Sequence, residues 1–189
     1  MRQWGASLIE LMIGLVIFGI VMAIAVPSLT TWMQNAQLRS TAETILNGVQ
    51  TARGEAVRRN STAQFSLTSS TGMADWTVSA YDSANGLYDI AVQSWSSGQA
   101  KNARVGTSSA ATQDYTVALA AGAGMPASVT FNALGRVVHV GTDITRIDVT
   151  NAVASGARRL VIVVSPYGLA RLCDPALPNT NPQSCTYTG

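Results

Sequence analysis

Charge is scarce in this chain of 189 residues. Asp, Glu, Lys and Arg together make up 12% of it, about half the roughly 25% of an ordinary soluble domain. The formal net charge is only +2, which argues neither for nor against a nucleic-acid partner. Histidine is reduced to His139 and cysteine to Cys173 and Cys185, so a zinc cluster of His and Cys ligands is excluded. No two carboxylates stand at motif-like spacing, which leaves glycosidase or metal-assisted chemistry without residues. His139 lies in a strand-like stretch and reads as a surface or interstrand residue. No repeat of fixed period is visible. The composition points to a protein that is not an enzyme and needs no cofactor.

What the chain does have is an apolar start. From Ala6 to Val26 the only charged residue is Glu10. A helix over those residues would rise about 31 Å, enough to cross the hydrocarbon core of a bilayer. A secretory signal would place Arg2 in the n-region and Ala23-Ile24-Ala25 at the cleavage site, and a plain membrane anchor is the other alternative. Both leave Glu10 unexplained, since a carboxylate deep in an apolar segment costs on the order of 3 kcal/mol. The stretch Gly5-Ala6-Ser7-Leu8-Ile9-Glu10-Leu11 resembles the cleavage motif of type IV prepilins and type II secretion pseudopilins. That resemblance implies cleavage between Gly5 and Ala6 by a prepilin peptidase, then N-methylation of Ala6. Many pilins carry Phe where this chain has Ala6. Cleavage would create an α-amine five residues from Glu10. In a filament the amine of one subunit can meet the Glu10 carboxylate of its neighbour, which turns a defect into a docking device. Pro27 falls where pilins usually carry a helix-kinking proline.

The helical pattern continues past the apolar run. Leu38, Ala42, Ile45, Val49, Ala52 and Ala56 recur at spacings that put them on one helix face, with Arg39, Glu43, Gln50 and Arg53 off it. The spacing predicts a helix, kinked near Pro27, that runs to about Arg59 and stops at Asn60-Ser61. Gly48 and Gly54 each weaken it by about 1 kcal/mol. Arg39 and Glu43 form a weak exposed pair, and Arg53, Glu55, Arg58 and Arg59 either contact neighbours or solvate the helix end. Beyond residue 61 the pattern becomes β-like, with strands expected at 64–67, 76–81, 88–95, 115–120, 128–132, 136–140, 146–150 and 159–165. The apolar run 160–164 reads as a central strand and Asn132-Ala133-Leu134-Gly135 as a hairpin connection. Residues 96–112, rich in Gly, Ser and Ala, read as a mobile surface loop.

Cys173 and Cys185 follow an export segment, so a disulfide is expected. It closes a loop containing Pro175, Pro178 and Pro182 and stabilises by about 3 kcal/mol in the chain-entropy model, less where the prolines already stiffen the open form.

Three further stretches narrow the resemblance. They are Ala52-Arg53-Gly54-Glu55-Ala56-Val57-Arg58-Arg59-Asn60, Val129-Thr130-Phe131-Asn132-Ala133-Leu134-Gly135-Arg136, and Val164-Ser165-Pro166 leading to Arg171-Leu172-Cys173-Asp174-Pro175. In order and spacing they resemble the GspH/FimT family of type IV minor pilins and type II secretion pseudopilins, most of all its FimU-type members. The resemblance implies an α+β fold, a long helix laid on antiparallel β-sheet. It divides the chain into a leader (1–5), a transmembrane or filament-core helix (6–27), an amphipathic continuation (28–60) and a β-rich globular domain (61–189). It implies a minor pilin that sits near the pilus tip and supports assembly. Its partners would be other major and minor pilins and the prepilin peptidase/methylase. Its location would be the inner membrane before assembly and the pilus afterwards. A GspH-type pseudopilin of type II secretion is one alternative. The other is DNA binding for natural transformation, for which some relatives use a Gly-Arg-x-Arg stretch. Here Gly168-Leu169-Ala170-Arg171 keeps only Arg171, with Arg158, Arg159 and Arg136 available to extend a patch. Losing one arginine weakens the phosphate footprint, and Arg171 instead suits a pairing with Asp174 or support of the disulfide loop.

Overall fold

The structure is a computed structural model that describes residues 7–153 and 158–186, with the side chains of residues 24–28 and 99 excepted. One helix, α1 (Leu8–Arg59), contains 52 residues and is about 78 Å long at 1.5 Å per residue. It ends where Asn60 turns left-handed, with φ 49°, and donates its N–H to the Ala56 and Val57 carbonyls. That closes the last turn, and Arg58 and Arg59 complement the negative end of the helix dipole.

Among the described residues eight strands follow: β1 (Ala63–Leu67), β2 (Trp76–Asp82), β3 (Leu87–Trp95), β4 (Ala103–Ser108), β5 (Ala127–Phe131), β6 (Arg146–Asn151), β7 (Leu160–Val164) and β8 (Ala170–Cys173). They form two four-stranded antiparallel sheets, β3-β2-β1-β5 and β4-β6-β7-β8. The chain builds most of the first sheet as a meander, founds the second with β4, returns to place β5 beside β1, and then completes the second.

The predicted helix stripe is the seam of the molecule. Leu38, Ala42, Ile45, Val49, Ala52 and Ala56 are all buried, against strands of both sheets. Phe65, Trp76, Phe131, Ile147 and Ile162 fill the space beneath, and each such side chain contributes about 1.5–3 kcal/mol by leaving water. Gly48 is required here for room. A Cβ on it would lie 2.9 Å from Phe65 Cε2 and 3.0 Å from Trp76 Cζ3, so the glycine lets the helix settle on the two rings.

Several expectations need correction. The 96–112 stretch is not simply a loop, for it contains a short 3-10 turn (Ser97–Gln99) and β4. Its small residues reflect burial on both faces: Val105 and Thr107 are buried, and a Cβ on Gly106 would meet the Ala120 carbonyl oxygen at 2.4 Å. Residues 115–120 are not a strand but a strap over the second sheet, held by side-chain bonds. Residues 136–140 make only a single bridge, Val137 to Phe131. The Asp143 carboxylate then accepts the Thr130 and His139 N–H groups and turns the chain away. The turn at Asn132-Ala133-Leu134-Gly135 forms as expected, closed by Gly135 N–H to Asn132 O at 2.8 Å. β7 is an interior strand as expected. β8 was not anticipated, since four mixed residues carry little strand signal.

Candidate assembly surface

From Leu8 to Ala23, Glu10 apart, α1 is apolar on all sides and open to water. Leu8, Ile9, Leu11, Met12, Ile13, Leu15, Val16, Ile17, Phe18, Ile20 and Val21 are exposed. A helix of that kind is covered by lipid or by other helices in its working state. Among the described residues no helix is long and apolar enough to cross a membrane, and the fully described apolar run stops at Ala23. Glu10 sits in the first turn, where Ser7 O accepts the Glu10 and Leu11 N–H groups at 3.0 and 3.2 Å. The side chain is exposed, and among the described residues it meets no cation. With Leu11, Gly14, Leu15 and Phe18 it borders a shallow open hollow along the helix. Gly5 and Ala6 lie outside the described residues. Pro27 falls within α1, which continues through it.

Beside the middle of α1, where Trp32 and Asn35 border one hollow with Cys173 and Asp174, Cys173 and Cys185 form the expected disulfide, with 5.0 Å between their Cα atoms. Arg171 supports the loop as one of its two expected roles: Nη1 donates to Ser184 O at 3.2 Å and Nη2 to Cys185 O at 3.0 Å. Asp174 pairs with Arg158 instead. Arg159 donates to Asp148 Oδ2 at 2.8 Å and to the carbonyls of Val117 and Tyr115. Three of the four arginines considered for phosphate contact therefore hold acceptors within the chain, and the fourth, Arg136, lies over the Tyr167 ring. His139 is exposed, with Nδ1 3.6 Å from Asp143 Oδ2.

The sequence missed a buried ion network on β6. Arg146 bonds Asp148 twice, Nε to Oδ1 at 2.6 Å and Nη2 to Oδ2 at 2.8 Å. Arg146 also donates to the Asp114 and Val117 carbonyls and lies over the Tyr115 ring. Leu119 N–H completes Asp148 at 3.0 Å. The signal existed, since Arg146 and Asp148 are two apart in a strand and share a face. The 115–120 strap covers that face.

At the helix end, Glu55 accepts from Arg58 and from Arg59. Those hydrogen bonds hold its carboxyl down to about 2, and Glu55 in turn raises the Arg58 guanidinium. The expected Arg39–Glu43 pair forms at 2.8 Å on an open face.

A long helix with a bare apolar half and a packed second half is a pilin-like architecture, and comparison with known proteins bears on it directly. Residues 41–168 match the family described as type II transport protein GspH. The chain belongs to the GspH family. Residues 2–26 match the prokaryotic N-terminal methylation motif, which covers the bare helix half and the segment before it. Among solved structures, two crystal forms of the type IV minor pilin FimU from Pseudomonas aeruginosa share the fold. One gives a TM-score of 0.55 at 19% identity, over 82% of this chain and 98% of FimU. The other gives 0.50 at 18% identity, over 78% and 98%. No curated protein sequence matches. The GspH match spans the first two motif stretches and the start of the third, and their helix end, hairpin turn and 164–166 segment meet at one end of the molecule.

Proposed function

We propose that this chain is a minor pilin, incorporated into a type IV pilus by packing of its N-terminal helix and supporting pilus assembly. The observation that carries this is the split character of α1, exposed and apolar through Val21 but buried along one face from Leu38. The methylation motif supports cleavage between Gly5 and Ala6, methylation of Ala6 and single-pass residence in the inner membrane before assembly. A partner amine for Glu10 then comes from a neighbouring subunit. The partners are other major and minor pilins and the prepilin peptidase. The GspH match favours a second reading, a pseudopilin of type II secretion, which uses the same helix packing. DNA uptake has less support, because Arg158, Arg159 and Arg171 are already engaged.

Glu10→Val tests the assembly role. The variant is expected to be cleaved and membrane-retained but depleted from purified filaments. Incorporation equal to the parent chain rules out Glu10 as the docking residue.

A further inference from the structure

The three motif stretches converge on a small knuckle at the C-terminal end of α1. Arg53 Nε donates to Gly135 O at 3.1 Å, and Val137 N–H donates to Pro166 O at 3.1 Å. Gly168 presses on the hairpin so closely that a Cβ there would lie 1.8 Å from Gly135 O. Both glycines have positive φ, 71° and 80°, a conformation other residues rarely adopt. The two turns are thus locked together, yet the side chains they present are apolar and open to water. Leu134 is 78% exposed, Tyr167 66%, Leu169 63% and Val57 51%. Scattered single apolar residues need no explanation, but a rigidly held cluster does.

The charges beside the cluster indicate what covers it. Arg136 is exposed and lies over the Tyr167 ring, 5.4 Å from its centre. Among the described residues no carboxylate pairs with Arg136 or Arg53, whereas Arg39, Arg58, Arg59, Arg146, Arg158 and Arg159 all have one. Tyr167 and the unneutralised Arg136 are residue types enriched in protein-binding hot spots, and Leu134 and Leu169 add exposed apolar area beside them. The arginine's charge calls for a carboxylate opposite.

We propose that the Leu134–Tyr167–Leu169 knuckle is a docking surface for a neighbouring subunit that presents a carboxylate flanked by apolar side chains, with Arg136 as the charge contact. It rests on the assembly role above and adds a second, globular contact to the helix packing. A nucleic acid fits less well, because apolar side chains outnumber free cations and Glu55 neutralises the nearest arginines.

The test uses the full chain in its own cells, with a benzophenone cross-linker in place of Leu134 and a filament pellet as a parallel readout. The expected result is an adduct to another subunit at a peptide containing Asp or Glu. Arg136→Glu should abolish the adduct, and reversing the partner's carboxylate to arginine should restore it. Arg136→Glu and a second variant, Tyr167→Ser, should melt like the parent, since both side chains are exposed. Absence of an adduct overturns the proposal. So does an adduct to nucleic acid, one at a peptide without a carboxylate, or one that survives Arg136→Glu. A chain absent from filaments but cross-linked as expected overturns the assembly role and leaves the docking surface standing.

Discussion

Asp148→Ala removes the acceptor from which the 115–120 strap hangs. Asp148 is fully buried and Arg146 nearly so, at 2%. Four hydrogen bonds end on this carboxylate: two from Arg146, one from Arg159 and one from Leu119 N–H. Without it, Arg146 keeps its charge in the interior with only the Asp114 and Val117 carbonyls as acceptors. Breaking a buried pair in this way costs about 3–5 kcal/mol, a large share of the roughly 5–15 kcal/mol that holds a domain folded. Arg159→Ala should cost less, about 1.5–3 kcal/mol, as the loss of hydrogen bonds to a charged group. Replacing Arg146 and Asp148 together by Met and Leu should cost less than Asp148→Ala alone, because no uncompensated charge remains. Urea unfolding of the full chain in detergent, followed by tryptophan fluorescence, gives each value. Exchange of the Leu119 amide reports the strap directly. A cost below about 1 kcal/mol for Asp148→Ala, or a double variant worse than the single, refutes the burial argument.

Gly48 and Gly54 should respond with opposite signs. Gly54→Ala meets nothing within 4 Å and should stabilise by about 0.5–1 kcal/mol through helix propensity, whereas Gly48→Ala pushes on Phe65 and Trp76 and should destabilise by about 1–3 kcal/mol; paired melting curves decide it. Cys173→Ser should lower stability by about 2–4 kcal/mol, and a parent chain whose melting is unchanged by reductant contradicts this. Glu55 is depressed by Arg58 and Arg59 from 4.5 to about 2. Its contribution is therefore present above pH 4.5 and lost as pH falls towards 2. Being at the surface it is worth less than about 1 kcal/mol, and the stability gap between the parent and Glu55→Gln should close over that window.

Periodicity made the helix legible. Six residues spaced for one face proved to be the buried seam, and the stop at Asn60 is a left-handed cap that the sequence marked with a residue tolerant of it. Most strands were legible from composition, because Phe65, Trp76, Val129 and Ile162 sit in runs enriched in β-branched or aromatic residues. What hid β4 was its composition: Gly106 and Thr107 look like loop residues until the close approach of residues 120–123 is known. The strap at 115–120 was misjudged in the opposite direction, since Tyr115 and Val117 have strand propensity but their carbonyls are taken by Arg146 and Arg159. The candidate arginines could be named from sequence, and support of the disulfide loop by Arg171 was expected, but the partners of Arg158 and Arg159 were not. Arg158, ahead of β7, pairs with Asp174 inside the disulfide loop, a contact between segments that no local pattern encodes.

The central claim is that the N-terminal helix is processed and packed as a pilin helix, and the most direct measurement is the N-terminal residue and mass of the chain recovered from sheared filaments. The account predicts a chain that begins at methylated Ala6 and retains Glu10. A chain that begins at Val26, or one that keeps Met1 and never reaches the filament, contradicts it.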